Sequence, residues 1–313
     1  MRGQPFKTEE LRTHLERSLG FGLAELRRLD GASALNFMAV REDGSRFAVK
    51  CSEPKMRAMY EKIVRHLAEM EGSKAVRRLY ADILPPQYEG YDIICMEWCD
   101  GERRFPDTLT DAEFKVFLDD YLEFSAAMQS TTMVYDSTPF AEWRRDAIAK
   151  CRGFFGGWLR RLLEREIPED TVVYRPDAMR TIHGDFHHGN FLFVDGRVDG
   201  YFDLSEFIYG YSAEDIVRYL VCAAEHTRWY AWRRRRRMVH LFSLAAGHMP
   251  YPQEEWISAV NTRFLTKVFT NTHEVPGISG AKAINLIFKY GFYRRMRRSI
   301  KSAQTLMAEC SRR

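Results

Sequence analysis

Three side chains with hard oxygen donors stand at telling intervals in the stretch Ile182-His183-Gly184-Asp185-Phe186-His187-His188-Gly189-Asn190-Phe191-Leu192-Phe193 and the Gly200-Tyr201-Phe202-Asp203 that follows. Asp185 comes five residues before Asn190 and 18 before Asp203. Magnesium takes octahedral oxygen ligands, one or two from protein and the rest from phosphate and water, and Asn190 and Asp203 can supply the protein's share. Phosphoryl transfer asks little covalent chemistry of a protein. It needs a group to orient the attacking hydroxyl, a task Asp185 can fill, and a metal to neutralise the phosphates. An apolar run and the turn dipeptide Asp195-Gly196 separate Asn190 from Asp203, so a hairpin can fold all three residues into one mouth.

The segments HGDFHHGNFL and YFDLSEFIYGYSAEDIVRYL resemble the HGD-x4-N and D-x6-G-x4-D signatures of the aminoglycoside phosphotransferase and choline kinase superfamily. The resemblance implies an ATP- and magnesium-dependent phosphotransferase that moves the γ-phosphate to a hydroxyl of a small molecule. It implies Asp185 as catalytic base, Asn190 and Asp203 as magnesium ligands, Asp215 as a structural residue and His183 as the brace of the catalytic loop. The fold it implies is α+β and bilobal, like a protein kinase, with an antiparallel sheet in a small N-terminal lobe and a larger, mainly helical C-terminal lobe. The catalytic loop is HGD instead of HRD, Phe202-Asp203-Leu204 replaces Asp-Phe-Gly, and no APE segment occurs. These departures favour a small-molecule kinase over a protein kinase.

A kinase fold also needs a strand lysine for the α- and β-phosphates, and Phe47-Ala48-Val49-Lys50 fits. Period-two alternation puts Ala48 and Lys50 on one side, a small residue over the adenine and a lysine toward the phosphates, with Phe47 and Val49 facing the lobe's own core. Eleven residues on, Glu61 resembles the glutamate that pairs with this lysine, with Glu53 and Glu69 as competing choices. The stretch ICMEWCDG is similar to the hinge between lobes, so Met96, Glu97, Trp98 and Cys99 are expected at the adenine edge. Gly31, Ser33 and Asn36 are assigned to the loop covering the phosphates.

The elements that must position these residues are legible. Two apolar runs flank Asp43-Gly44, the signal of an antiparallel hairpin. After Pro54, Met59, Ile63, Leu67 and Met70 mark an amphipathic helix. YDIICMEWC reads as a strand. Thr110 and Glu113 form a capping box ahead of the apolar-periodic FKVFLDDYLEFSAAM. The runs TVVY, FLFV and GYFDL read as short strands, and from Ser212 onward the chain is helical. The expected division is a nucleotide-binding lobe at 1–98 and a catalytic and acceptor-binding lobe at 99–313.

With 313 residues, the chain exceeds what one core usually serves. No run reaches the roughly 20 apolar residues needed to span a bilayer, and the N-terminus lacks the apolar core of a secretory signal. A cytoplasmic location is expected. The six cysteines form no CxxC pair and read as reduced thiols. The net charge of +4 is unevenly spread, with Arg233 to Arg237 in one block and Arg294, Arg295, Arg297 and Arg298 in another. Solvated helical faces explain such runs, and an anionic partner is the alternative. Arginine in the acceptor lobe suits a sugar or glycolipid-type acceptor better than a polycationic drug, and peripheral contact with an anionic membrane surface would suit the basic C-terminus. No nucleic-acid partner is expected. Other readings of the same residues are an aminoglycoside or choline-type kinase, a kinase-like pseudoenzyme or binding module, and a two-metal phosphoesterase, although the last class normally carries Asp-x-His and Gly-Asn-His tripeptides absent here.

Overall fold

A computed structural model describes residues 7–29, 35–52, 56–70, 84–129, 136–169, 178–204, 207–225, 232–272 and 280–310. Helix α1 (Thr8–Leu19) leads into β1 (Leu23–Leu29), β2 (Leu35–Arg41) and β3 (Arg46–Ser52). After α2 (Arg57–Glu69), strand β4 (Asp92–Glu97) completes an antiparallel sheet of order β1-β2-β3-β4. The β2–β3 hairpin turns at Asp43-Gly44, as its sequence predicts: Gly44 takes φ 83° and the Asp43 carboxylate accepts from Ser45 N–H at 2.9 Å. Alternation then sorts the strands. Phe37, Ala39, Phe47, Val49, Cys51, Ile93 and Cys95 bury one face against Leu11 and Leu15 of α1.

Helix α2 belongs elsewhere. Its Tyr60, Ile63 and Leu67 join the core of the larger, helical part of the chain. The buried carboxylate of Asp92 on β4 accepts from the backbone N–H groups of Met56 and Arg57, at 2.7 and 2.8 Å, and so caps the helix from a neighbouring strand.

Beyond β4 the chain is mainly helical. Helix α3 (Asp111–Gln129) opens with the predicted capping box: Thr110 N–H donates to Glu113 Oε2 at 2.7 Å, and Glu113 N–H donates to Thr110 Oγ1 at 3.2 Å. Helices α4 (Phe140–Lys150) and α5 (Gly153–Glu166) precede β5 (Arg180–Ile182), the hairpin β6 (Phe191–Val194) and β7 (Arg197–Tyr201), and β8 (Ile208–Gly210), which pairs with β5. FLFV is thus a strand, only Gly200 and Tyr201 of GYFDL are, at the end of β7, and TVVY lies outside the described residues. Asp195 and Gly196 take φ 49° and 78° in the two-residue β6–β7 turn, the geometry an Asp-Gly pair favours. Helices α6 (Ser212–Glu225), α7 (Trp232–His248), α8 (Gln253–Thr272) and α9 (Gly280–Cys310) complete the chain.

Two contacts position the site. Phe117 and Phe124 on α3 face the aromatics of the HGD region: Phe117 stands 6.1 Å from Phe186 and 5.5 Å from Phe191, and Phe124 stacks on Tyr201 at 3.9 Å. The segment after β4 pairs with β6 through Glu102 and Phe193, each N–H donating to the other's carbonyl at 2.9 Å, which ties the sheet to the helical part. Cys51, Cys95, Cys99 and Cys151 are buried free thiols. Burial pushes Cys51 up to about 12 and Cys151 up to about 11, so both stay protonated and inert. No described helix is long and apolar enough to cross a membrane.

Candidate active site

Strand β5 delivers the chain to His183, and helix α6 receives it. The Asp215 carboxylate, 1% exposed, accepts from His183 N–H at 2.9 Å, Gly184 N–H at 3.0 Å and the Tyr121 hydroxyl at 3.1 Å. Burial pushes this carboxyl up, opposed by His183 and the three hydrogen bonds. Gly184 turns at φ 77°, where a side chain would be strained. The buried His183 ring spans the loop: Nε2 lies 2.8 Å from the Phe202 carbonyl and Nδ1 lies 3.3 Å from Asp185 N–H. The ring thus bridges a carbonyl on one side and an N–H on the other. His183 thereby joins the Asp185 loop to the segment carrying Asp203, which itself adopts φ 53°, an uncommon conformation for a non-glycine residue.

Asp185 and Asn190 meet. Asn190 Nδ2 donates to the Asp185 carbonyl at 2.9 Å and to its Oδ2 at 3.3 Å, which turns the amide oxygen of Asn190 away from Asp185. Arg218 of α6 engages Oδ1 of Asp185 and donates to the Gly184 carbonyl at 2.6 Å. His187 approaches Oδ2, its Nε2 at 3.5 Å, while its Nδ1 accepts from Gly189 N–H at 2.9 Å. A side-chain carbon on Gly189 would come within 2.8 Å of the His187 ring, so glycine lets the ring tuck back toward Asp185. Burial by itself would raise the Asp185 carboxyl, but His187, Arg218 and His183 outweigh it and hold it at about 2.

Across the cleft, Lys50 Nζ donates to Asp203 Oδ1 at 2.6 Å. The sheet register places Asn36 and Ile94 directly opposite Lys50, and Met38 and Met96 opposite Ala48, so these side chains share the face that looks away from the α1 core. Phe47 and Val49 are buried on the other face. Ala48 leaves a shallow bay between the two methionines, and Asn36 stands beside the lysine. Glu97 is exposed, Trp98 Nε1 donates to Asp100 at 2.9 Å, and the Cys99 thiol turns to Asp199 at 2.9 Å. Side chains beyond Met96 thus point away from the bay, and the backbone of 97–99 is what remains to meet an adenine edge. Gly31, Ser33 and Glu53 lie outside the described residues.

Glu61 is not where the sequence reading put it. It is exposed and pairs with Arg57 of its own helix at 3.3 Å. The buried stripe of α2 runs through Tyr60, Ile63 and Leu67, and the next residue after Tyr60 is turned about 100° outward. Tyr60 faces inward instead, its hydroxyl bonded to Ser52, and burial with nearby Asp203 and Asp92 pushes it up to about 12. Glu69 is exposed as well. The partner of Lys50 is the metal-site candidate Asp203.

One carboxylate and one amide oxygen at a shared mouth fit magnesium, which keeps most of its shell for phosphate and water. Among the described residues no three His, Cys, Asp or Glu side chains form a metal cage. Beside Asp185 lies a pocket of ≈ 150 Å³, lined among others by Trp143, Gly184, Arg218, Ala259, Arg263 and Thr266. Sequence reasoning missed Arg218 and gave His187 no role. The spacing from Asp215 to Arg218 put both on one face of a helix, the only available signal.

The model of the phosphotransferase enzyme family matches residues 25–246. The chain belongs to that family. It is a phosphotransferase that acts on an alcohol group, a small-molecule kinase. Its fold is shared by a spectinomycin phosphotransferase solved with ADP and spectinomycin, at 13% identity, TM-score 0.59, and coverage of 96% of this chain and 98% of that one. An amicoumacin kinase in complex with AMP-PNP and Ca2+ aligns at 13% identity and TM-score 0.57, covering 93% and 96%. An aminoglycoside phosphotransferase with ADP and hygromycin B aligns at 14% and 0.55, covering 94% and 98%. At these identities the likeness is one of fold, the α+β bilobal kinase-like fold. No curated protein sequence matches the chain.

Proposed function

We propose that this kinase uses ATP and magnesium to phosphorylate a hydroxyl of a sugar or glycolipid-type acceptor. The observation that carries the first half is that Lys50 meets Asp203 and Asn190 meets Asp185, the two pairs being joined by the Phe202 N–H on the Asn190 carbonyl at 2.7 Å, with Met38, Ala48 and Met96 on the lysine's face of the sheet. Lys50 fixes the nucleotide phosphates, Asn36 stands beside it, and the bay with the backbone of 97–99 takes the adenine. Asn190 and Asp203 hold magnesium, which when bound neutralises phosphate charge during transfer. Asp185 orients the acceptor hydroxyl and takes its proton late, and Asp215 and His183 keep the loop in register. We assign residues 1–98 to the nucleotide lobe, with its α2 packed on the core of the larger part, and 99–313 to the catalytic and acceptor lobe. Holding the reactants and neutralising charge supplies most of the acceleration.

The pocket beside Asp185 supports the acceptor class. It is lined by Arg218, which holds Asp185 and the Gly184 carbonyl, by Arg263, whose Nη2 lies 3.3 Å from Cys222 Sγ, and by Trp143 and Thr266. Its carboxylates already have donors: Asp215 holds three, and Glu214 accepts from Tyr211 N–H at 3.2 Å. A polycation such as an aminoglycoside wants unengaged carboxylates there, whereas a neutral or anionic polyol suits arginine and an aromatic wall. The solved relatives bound to spectinomycin and hygromycin B share the fold and do not name this acceptor. The separate two-metal phosphoesterase reading lacks a cage of ligands among the described residues.

The test is ADP release in the presence of magnesium, screened over hexoses, hexose phosphates, uronic acids and kanamycin-type drugs. Turnover of sugars supports the proposal. Efficient turnover of kanamycin with none of sugars overturns the acceptor assignment, and no binding of ATP at all overturns the nucleotide site. Arg294, Arg295 and Arg298 are exposed on α9, and co-sedimentation with anionic but not neutral vesicles is the check on peripheral membrane contact.

A further inference from the structure

Asp215 and Arg218 lie three residues apart on α6, so both project from one face of the helix toward the HGD loop. Their chemistry is complementary. Asp215 accepts from the N–H of Gly184 at 3.0 Å, and Arg218 donates to the carbonyl of the same residue at 2.6 Å. One helix therefore grips one glycine by both of its backbone polar groups. The second arm of the Arg218 fork reaches the next residue and engages Oδ1 of Asp185. Planar guanidinium can hold two acceptors in fixed relative positions, which an ammonium group cannot.

The pair is partly sheltered, with the side chains of Arg218 and Asp185 30% and 21% exposed, so screening by water is incomplete. The Nε of Arg218 is buried and finds no acceptor. Leaving a donor unmet is unfavourable, so the two Nη contacts decide where this side chain sits. On the other carboxylate oxygen the contacts are longer, 3.3 Å from Asn190 and 3.5 Å from His187. Both exceed the ordinary length of a hydrogen bond, so an entering hydroxyl can displace either.

We propose that Arg218 is a positioning residue for phosphoryl transfer: by engaging Oδ1 of Asp185 and the Gly184 carbonyl together, it fixes the carboxylate plane and leaves Oδ2 to take the acceptor hydroxyl. The inference rests on the reading of Asp185 as the group that orients that hydroxyl. Arg218 also lines the pocket beside Asp185, so its loss is felt where the acceptor must lie and not at the nucleotide bay.

The experiment compares wild type with Arg218→Met and Arg218→Lys by two independent readouts. The first is kcat and KM for ATP and for the best acceptor. The second, which needs no turnover, is the NMR amide signals of Gly184 and Asp185 at one fixed neutral pH. Arg218→Met is expected to lower kcat about 100-fold, the scale of a misplacement of about 1 Å, with KM for ATP within about twofold of wild type. It should also move both amide signals, because the Gly184 carbonyl and Asp185 Oδ1 lose their shared donor. Arg218→Lys keeps a positive charge but should restore only part of kcat, since one ammonium cannot span both acceptors. Unmoved amide signals in Arg218→Met, or unchanged kcat in both variants, overturn the proposal. If Arg218→Met does not fold, the lysine variant alone decides, and full wild-type kcat in it overturns the role of the fork. If wild type turns over no acceptor, the function proposed above fails, while the amide signals still read the coupling of Arg218 to the HGD loop.

Discussion

Lys50 Nζ stands 2.6 Å from Asp203 Oδ1, so residues 153 positions apart in sequence close the cleft between the sheet and the catalytic hairpin. Both side chains are partly sheltered, at 17% and 33% exposure. A nucleotide entering with its metal offers each a new partner, phosphate for the lysine and cation for the carboxylate. Asp203→Ala should therefore abolish the magnesium-dependent rise in thermal midpoint produced by ATP. Lys50→Met should weaken ATP binding about 10- to 100-fold, the loss of a charged hydrogen bond worth about 1.5–3 kcal/mol. Calorimetric titration checks both, and unchanged affinity in either variant removes that residue from the nucleotide site.

Asp185→Asn keeps the shape of the loop while removing the proposed base. Turnover should fall by about 10²- to 10⁴-fold, the usual contribution of a general base, with magnesium-ATP affinity within about twofold of wild type. An equal loss of both would make Asp185 a nucleotide ligand.

Glu61→Ala tests the correction to the sequence reading. Its exposed pairing with Arg57 is of the i,i+4 kind, worth about 0.3–0.5 kcal/mol. ATP affinity and kcat should both stay within about twofold of wild type. A tenfold loss of ATP affinity would mean that α2 rotates when nucleotide binds.

Ala48→Leu places a branched side chain between Met38 and Met96, which stand opposite position 48 on its two neighbouring strands. ATP affinity should fall at least about tenfold while the thermal midpoint without nucleotide changes little, because the added atoms enter the cleft and not the core. Wild-type affinity would put the adenine elsewhere.

His66 gives the fold a pH signature. The ring is fully buried on α2, its centroid 4.8 Å from that of Phe207, and burial holds it down at about 4 from 6.5. Glu69 opposes the shift and Lys62 adds to it. The unfolded chain therefore binds a proton between pH 6.5 and 4 that the folded chain refuses, so this group's contribution to stability is lost as pH falls through that window. The loss amounts to about 3 kcal/mol at 1.36 kcal/mol per pH unit. Urea unfolding midpoints between pH 7 and pH 4 should fall more steeply for wild type than for His66→Phe. Parallel slopes would show that the ring ionises in place.

Much of the site was legible because it is held by local spacing. Asp185, Asn190 and Asp203 sit on one short loop and one hairpin, and an Asp-Gly turn of two residues leaves the chain little choice about bringing them together. Lys50 and Ala48 could be placed on one face because strand alternation is a backbone property. The hairpin at Asp43-Gly44 and the capping box at Thr110 and Glu113 formed as read, each being decided within four residues. Glu61 failed for a related reason. Its helix was read correctly, but which of two adjacent residues faces inward depends on how the helix is rotated, and that is set by the packing of Tyr60, Ile63 and Leu67 against distant side chains.

The sequence by itself determined the family, the kinase-like architecture and the chemistry on offer, since motif spacing and periodicity are written along the chain. Only the tertiary structure decided the partners. It gave Lys50 to Asp203, bent His183 across to the Phe202 carbonyl, and brought Arg218 and His187 to the two oxygens of Asp185. It also engaged part of the arginine block that composition offered to an anionic partner: Arg234 pairs with Asp107 at 2.7 Å and Arg237 with Asp111 at 2.5 Å. Charge and hydrogen-bonding capacity belong to residue types, whereas the groups that satisfy them come from elements far apart in sequence and are fixed only when those elements pack.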